Sequence, residues 1–394
     1  VALMRNIISV VLLLFIISCS SSLTKKENLL QMIDNNYNLL FDSNLDQEVQ
    51  IKDAKKLIEL INLYIKKYPK DINVVKFLQR AQANVIALDY KKALIDYDSA
   101  LNLAISQEKI IIYYYKGAVY SKLDENSKAL NSYQTALDIY NDNKLTDENT
   151  LKILKLSIAG VYSSMGLHNK SFEIYKQLYD INQSDEFLFK IVDALFYDAN
   201  YKQQLYYLNI VLKKYPNNAN FYTIRGNTYM FLNDYNKAIT DYNKAISIDN
   251  RKLDTFINRS FAYIKIKNYS AAIKDTNYVL EKDNLYVGAY INQIDALIKQ
   301  SKYKEAISIG LKAIETEYKN SNDVLYDNLI QAYLYNKDLK NAIVILDMRI
   351  KEGYDLIYKD NLKEVNIALK TIKSTNNKEL EDFNTLLKSL IIIN

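Results

Sequence analysis

Tyr201, Tyr235, Tyr269 and Tyr303 stand 34 residues apart, and Ala238, Ala272 and Ala306 keep the same interval. The segments around them align as Asn236-Lys237-Ala238-Ile239, Ser270-Ala271-Ala272-Ile273 and Lys304-Glu305-Ala306-Ile307. A fixed period of this length limits the fold more than any single motif does. One such repeat cannot bury its own apolar face, so repeats must stack and share a core with their neighbours. Composition then decides what each repeat is made of. The 394 residues include only 7 Gly and 2 Pro, too few for the tight turns of a large sheet protein, which need a positive or a locked φ. Apolar residues at 49% and charged residues at 25% exclude a wholly disordered chain. What remains is a set of helices joined by short polar loops.

The repeated segments resemble the tetratricopeptide repeat family. The match is fullest in 219–252, where Tyr222, Gly226 and Tyr229 fall on the first helix of the family's helix–turn–helix unit and Ala238, Tyr242 and Ala245 on the second. Repeat 185–218 ends in Tyr215-Pro216, the family's closing proline, and a weaker first repeat, 38–71, is anchored by Tyr68-Pro69. In the same frame lie 74–107, 110–143, 152–184, 253–286, 287–320 and 323–356, with extra residues at 144–151 and 321–322. The resemblance implies an all-α, right-handed superhelical solenoid of about nine helix–turn–helix repeats over 38–356, closed by capping helices in 357–394. Small residues at Ala81, Gly117, Ala159, Gly226 and Ser260 mark where the second helix crosses the first. A larger side chain there costs about 1–3 kcal/mol in overpacking. Roughly half of the 35 Tyr recur at packing places and read as inter-helix spacers.

Residues 1–18 read as an export signal. Met4-Arg5-Asn6 carries one positive charge, and the apolar run from Ile7 to Ile17 is shorter than the roughly 20 residues a bilayer span needs. The run closes on Ile16-Ile17-Ser18-Cys19, which resembles the lipobox of bacterial lipoproteins. That resemblance implies lipidation of Cys19, a mature chain beginning there and a lipidated tether over 19–37, while Val1 to Leu3 precede a natural-looking start at Met4. Each CH₂ buried in the bilayer contributes about 0.8 kcal/mol, so several chains hold firmly. Ser20 stands where lipoproteins kept at an inner membrane resemble one another in carrying Asp, which makes the outer membrane of a bacterial envelope the expected address.

One His and one Cys leave little for a metal site or a nucleophile–base pair. His168 sits in the turn Gly166-Leu167-His168-Asn169 without a recognisable partner, and the carboxylate pairs Asp124-Glu125 and Asp147-Glu148 fall in polar turns. Phosphate-cradling glycine loops and paired-Cys motifs are missing. The expected activity is binding rather than catalysis, with no cofactor and no metal. The net charge of +5 is spread along the chain, with Lys66-Lys67 and Lys213-Lys214 near repeat ends, where cations complement a helix C-terminus. Nucleic acid is therefore not the expected partner.

At about 100° per residue, the second, fifth, ninth and twelfth places of each first helix cluster on one side. In tetratricopeptide arrays that side lines the concave groove. The set contains Glu186, Asp193, Asp254, Asp295 and Asp327, with Tyr114, Phe189, Phe196, Met230 and Phe261 beside them and Asn220 and Asn227 near the middle, but no Lys or Arg. The expectation is an acidic, apolar groove that takes a protein or peptide segment bearing apolar anchors and basic residues. Family members that grip acidic C-termini use Lys, Arg and Asn at fixed places. Asn227 and Asn258 resemble the two asparagines, but Thr223, Gly288 and Asn292 stand where cations belong, so that activity is not implied. Two rival readings stay open: a glycan-binding lipoprotein, against which the lack of Trp counts, and a structural spacer that binds nothing.

Overall fold

The computed structural model describes residues 25–41, 46–315, 323–353, 356–370, 377–389 and 391–393; Cys19 and the expected export signal, residues 1–18, lie outside them. The chain divides into two compact units, 1–198 and 199–394. The first contains α1 (Lys25–Leu39), α2 (Gln47–Lys67), α3 (Val74–Ile86), α4 (Tyr90–Leu101), α5 (Ser106–Lys122), α6 (Asn126–Asp142), α7 (Glu148–Ser164), α8 (His168–Asn182) and α9 (Asp185–Tyr197). The second contains α10 (Tyr201–Lys214), α11 (Ala219–Phe231), α12 (Tyr235–Ile248), α13 (Leu253–Lys265), α14 (Tyr269–Lys282), α15 (Val287–Lys299), α16 (Tyr303–Glu315), α17 (Asp323–Tyr335), α18 (Leu339–Lys351), α19 (Lys359–Leu369) and α20 (Asn377–Lys388). Among the described residues, twenty α-helices and one short 3-10 helix (Pro69–Asp71) follow one another as an all-α repeat solenoid. Among the described residues the only strands are β1 (Leu356–Tyr358) and β2 (Ile391–Ile393), which pair in parallel with Leu356 opposite Ile391.

The turn inside each repeat explains why so few glycines suffice. Leu88, Asp124, Gly166, Ala199, Asn233, Lys267, Ser301 and Lys337 each hold the fifteenth place of a repeat, with φ between 54° and 71°. Only one of these left-handed residues is Gly. The next residue closes the first helix and opens the second. Its N–H reaches back five residues, as in Asp234 to the Tyr229 carbonyl at 2.9 Å and Asn268 to Tyr263 at 2.8 Å. That is the six-to-one bond of a Schellman stop. Its side chain then caps the second helix: Asp89, Asn200, Asp234, Asn268 and Asp338 accept from the backbone N–H three residues on.

The two helices of a repeat cross at a small residue. Gly117 lies under the Tyr133 ring and Gly226 under Tyr242, so close that a Cβ at Gly226 would sit 2.5 Å from Tyr242 Cε1. Ala93, Ala129, Ala238, Ala272, Ala306 and Ala342 on the second helices are fully buried. A polar clamp then ties repeat to repeat. Arg225 grips Asp241 of its own repeat through two bonds of 2.7 Å and donates to Asn209 of the preceding one at 2.7 Å. Arg259 does the same with Asp275 and Asn243, and Arg80 with Asp96 and Asn62. Asp96, Asp241 and Asp275 are buried, which the paired guanidinium makes tolerable. In the next repeat Gln293 replaces the arginine and keeps only the backward bond, to Asn277.

Three boundaries differ from the sequence reading. Residues 25–37 form most of α1, not a tether, because Leu29, Ile33 and Tyr37 pack with Leu57, Ile61 and Tyr64 of α2 into one cluster. The first pair is accordingly α1 and α2, and a repeat placed at 38–71 begins at the end of its own first helix. The extra residues at 144–151 are partly helical: Asp147 caps α7 through Asn149 and Thr150, so 148–151 is that helix's first turn.

Candidate functional site

In the first unit, α9 carries Glu186, Phe189, Asp193 and Phe196 along one side, while Phe187, Leu188, Ile191, Val192, Ala194 and Leu195 are buried. The helix starts at Asp185 because two acids favour its N-terminus. Glu186 and Asp193 are exposed, Phe189 and Phe196 half-buried. Phe196 meets Tyr197 edge-on at 5.5 Å, and Tyr197 stacks on His168 at 5.1 Å. Lys152 approaches Glu186 at 3.7 Å. Asp193, although exposed, lies against enough protein bulk for desolvation to raise its carboxyl above the ordinary value, with Lys190 pulling it back. Tyr114 is not part of this strip. It lies on α5, half-buried, with ring contacts to Tyr115 and Tyr133.

In the second unit the first helices touch one another in sequence, α11 to α13, α13 to α15 and α15 to α17, and form one layer. Asn227 on α11 accepts from the Tyr242 hydroxyl at 2.8 Å and from Asn258 of α13 at 3.0 Å. Asn292 and Asn328 continue this as a ladder, donating to the Ile257 and Ile291 carbonyls. Asn227 and Asn258 are thus bonded to each other, which satisfies half-buried polar groups between helices. Met230 packs with the cluster of Ala238, Ile239, Tyr242 and Ala262. Phe261 stays 41% exposed, with the Lys265 ammonium 4.7 Å from its ring centre.

The acids of this layer are not the free carboxylates that the groove reading expected. Asn220 accepts from Lys252, and Asp254 accepts from the Tyr286 hydroxyl. Asp295 is paired with Lys299 at 3.3 Å. Burial raises the Asp295 carboxyl, and Lys299 and Lys265 oppose it; Lys299, which burial alone would lower, is held above its ordinary value by Asp295. Asp327 is fully buried. It pairs with Arg349 at 3.0 Å and accepts from Asn361 at 2.8 Å, and burial pushes it up to about 6 against the pull of both. It is an interior ion pair, and no partner can reach it.

The thirteenth place supplies what the sequence reading left out. Lys265 and Lys299 each lie four residues after a groove residue, Phe261 and Asp295, on the same helix face. A step of four residues from Asp295 finds Lys299, and the same step from Phe261 finds Lys265. Within the second unit the layer is therefore of mixed charge. Among the described residues no group of three or more His, Cys, Asp or Glu is placed to hold a metal ion. Nor is any described helix long and apolar enough to cross a membrane.

These elements define an α-helical repeat solenoid that presents the faces of its first helices. Residues 219–251 match the profile of the tetratricopeptide repeat. Among solved structures, the C-terminal part of a tetratricopeptide repeat-containing protein from Cytophaga hutchinsonii is similar over 68% of this chain and 99% of its own, at 17% identity and a TM-score of 0.50. A tetratricopeptide repeat protein from Parabacteroides merdae covers 75% of this chain and 98% of its own, at 14% identity and a TM-score of 0.37. YrrB, described as a repeat protein with an unusual peptide-binding site, covers 50% and 96% at 20% identity and a TM-score of 0.39. No curated protein matches the sequence.

Proposed function

We propose that this chain is a non-catalytic, protein-binding scaffold of a bacterial cell envelope, held to the membrane by lipid on Cys19. The observation that carries the binding reading is the strip on α9, where acid and aromatic alternate at Glu186, Phe189, Asp193 and Phe196. Successive spacings of three, four and three residues put all four on one helix face. The exposed acids there fit a segment with apolar anchors and Lys or Arg, docked as a helix or an extended strip. Lys152 and Lys190 nearby weaken that preference, so the aromatic contacts carry the larger share of affinity.

The test is capture from detergent-solubilised envelopes by wild type and by Glu186→Lys/Asp193→Lys, both checked for intact helicity. Loss of a specific, identifiable partner in the variant supports the reading; equal capture overturns it, and so does a partner that prefers the variant. Lipid anchoring is tested separately. Cys19→Ser should release the chain from the membrane fraction and abolish incorporation of labelled fatty acid. Binding of purified glycans without capture of any protein partner would favour the carbohydrate alternative.

A further inference from the structure

The last step of the second unit breaks the packing rule of the steps before it. From α12 to α13, α14 to α15 and α16 to α17, each new first helix packs on the second helix before it. At the end of the array α19 instead packs chiefly on α17, and α20 takes the place against α18. The displacement carries α19 toward the inner face. Asn361 donates to Asp327 at 2.8 Å, and Val365 and Ala368 are buried in the cluster of Tyr326, Leu329, Ile330 and Tyr333. The Glu364 carboxylate comes near enough to act on Tyr335 of α17 and on Lys299 and Asp295 of α15. Burial at equivalent places follows. The ninth place is partly open at Asn227, 41% exposed at Phe261 and partly open at Asp295, but Gln331 on α17 is 7% exposed.

We propose that α19 is a displaceable strap seated on the inner face of α17, and that this face accepts an amphipathic helix carrying a Leu-x-x-Val-x-x-Ala-Leu stripe. The strap is lightly buried. Among its described side chains only Val365 and Ala368 are fully covered, with Leu362 and Leu369 partly so, against three buried residues on α11 and on α16 and ten on α17. Local openings of this kind sit at the low end of a protein's stability range. The occupant in cis lowers the apparent affinity for any equivalent helix in trans by the fraction of chains in which the face is open. The inference concerns α17 and α19 alone and stands or falls independently of the α9 strip.

The test uses the full chain and a labelled synthetic peptide of residues 356–370 as probe. Wild type should bind it at least about tenfold more weakly than Val365→Asp/Ala368→Asp, in which the strap is expelled. The peptide carrying the same two changes should bind neither. Hydrogen exchange on wild type should show α19 amides exchanging about tenfold or more faster than those of α17. Equal peptide affinity for both chains overturns the proposal. So does co-exchange of α19 with α17, or loss of the array's cooperative melt in the variant, since each makes α19 an integral layer rather than a strap.

Discussion

Replacing Gly226 by Ala sets two effects of opposite sign against each other, and the geometry decides between them. In an open helix the change stabilises by about 1 kcal/mol, because Gly carries more backbone freedom into the unfolded chain. At Gly226 the new Cβ would meet Tyr242 Cε1 at 2.5 Å and Cδ1 at 2.8 Å. The ring cannot retreat cheaply. Tyr242 is fully buried, and its hydroxyl is committed to Asn227 at 2.8 Å. Overpacking costs about 1–3 kcal/mol, and a strained Tyr242–Asn227 bond about 1 more. The net expectation is destabilisation by about 2 kcal/mol, or about 4–8 °C in Tm for a unit of this size. Gly160 in α7 provides the control, because nothing lies within 4 Å of its added Cβ. Gly160→Ala should therefore gain about 1 kcal/mol. In a Tyr242→Ala background, Gly226→Ala should lose its penalty and show the same gain. Calorimetry and urea melts of the set decide the matter. If Gly226→Ala stabilises the wild-type chain, or moves with Gly160→Ala, the close-crossing account is wrong.

Leu88 is 56% exposed at a φ of 62°, so Leu88→Gly should raise Tm, gaining about 1 kcal/mol from relieved backbone strain with little packing lost. Arg259→Leu leaves the buried Asp275 without its guanidinium and should cost about 3 kcal/mol, with Arg259→Leu/Asp275→Leu costing less than the single change; a double-mutant cycle in urea measures both. Asp327 is raised in the folded state, so it takes up its proton there before it does so unfolded. Its contribution is present at low pH and lost as pH rises through about 6: roughly 1.4 kcal/mol more stability at pH 5 than at pH 7, a slope that Asp327→Asn should remove.

The repeat frame was legible because packing places recur in phase. Tyr242, Ala238 and Gly226 each report a neighbour one helix away, and that neighbour changes little from repeat to repeat. The candidate face was less legible, for two reasons. A helical wheel places Asp327 and Asp295 on one side, but it says nothing of what stands opposite them; Arg349 and Asn361 come from elements outside the repeat's first helix. The wheel was also cut one place short, which omitted Lys265 and Lys299. The Arg–Asp–Asn clamp went unread although Asp241 and Asp275 show the 34-residue spacing, because its third member lies in the preceding repeat. Residues 25–37 read as a tether because the link from Leu39 to Gln47 is longer than the turns of the later repeats and takes α1 out of the 34-residue phase.

That clamp points in one direction along the chain. Arg80, Arg225 and Arg259 each reach an aspartate sixteen residues ahead and an asparagine sixteen or eighteen residues behind, never one in the following repeat. A chain leaving the ribosome N-terminus first therefore has the backward partner in place before each arginine appears, and the forward one within the same helix pair. Every clamp can close as soon as its own second helix has emerged, without waiting for sequence still to be made. For an array whose single repeats cannot stand alone, synthesis and assembly can advance at the same pace, one pair of helices at a time.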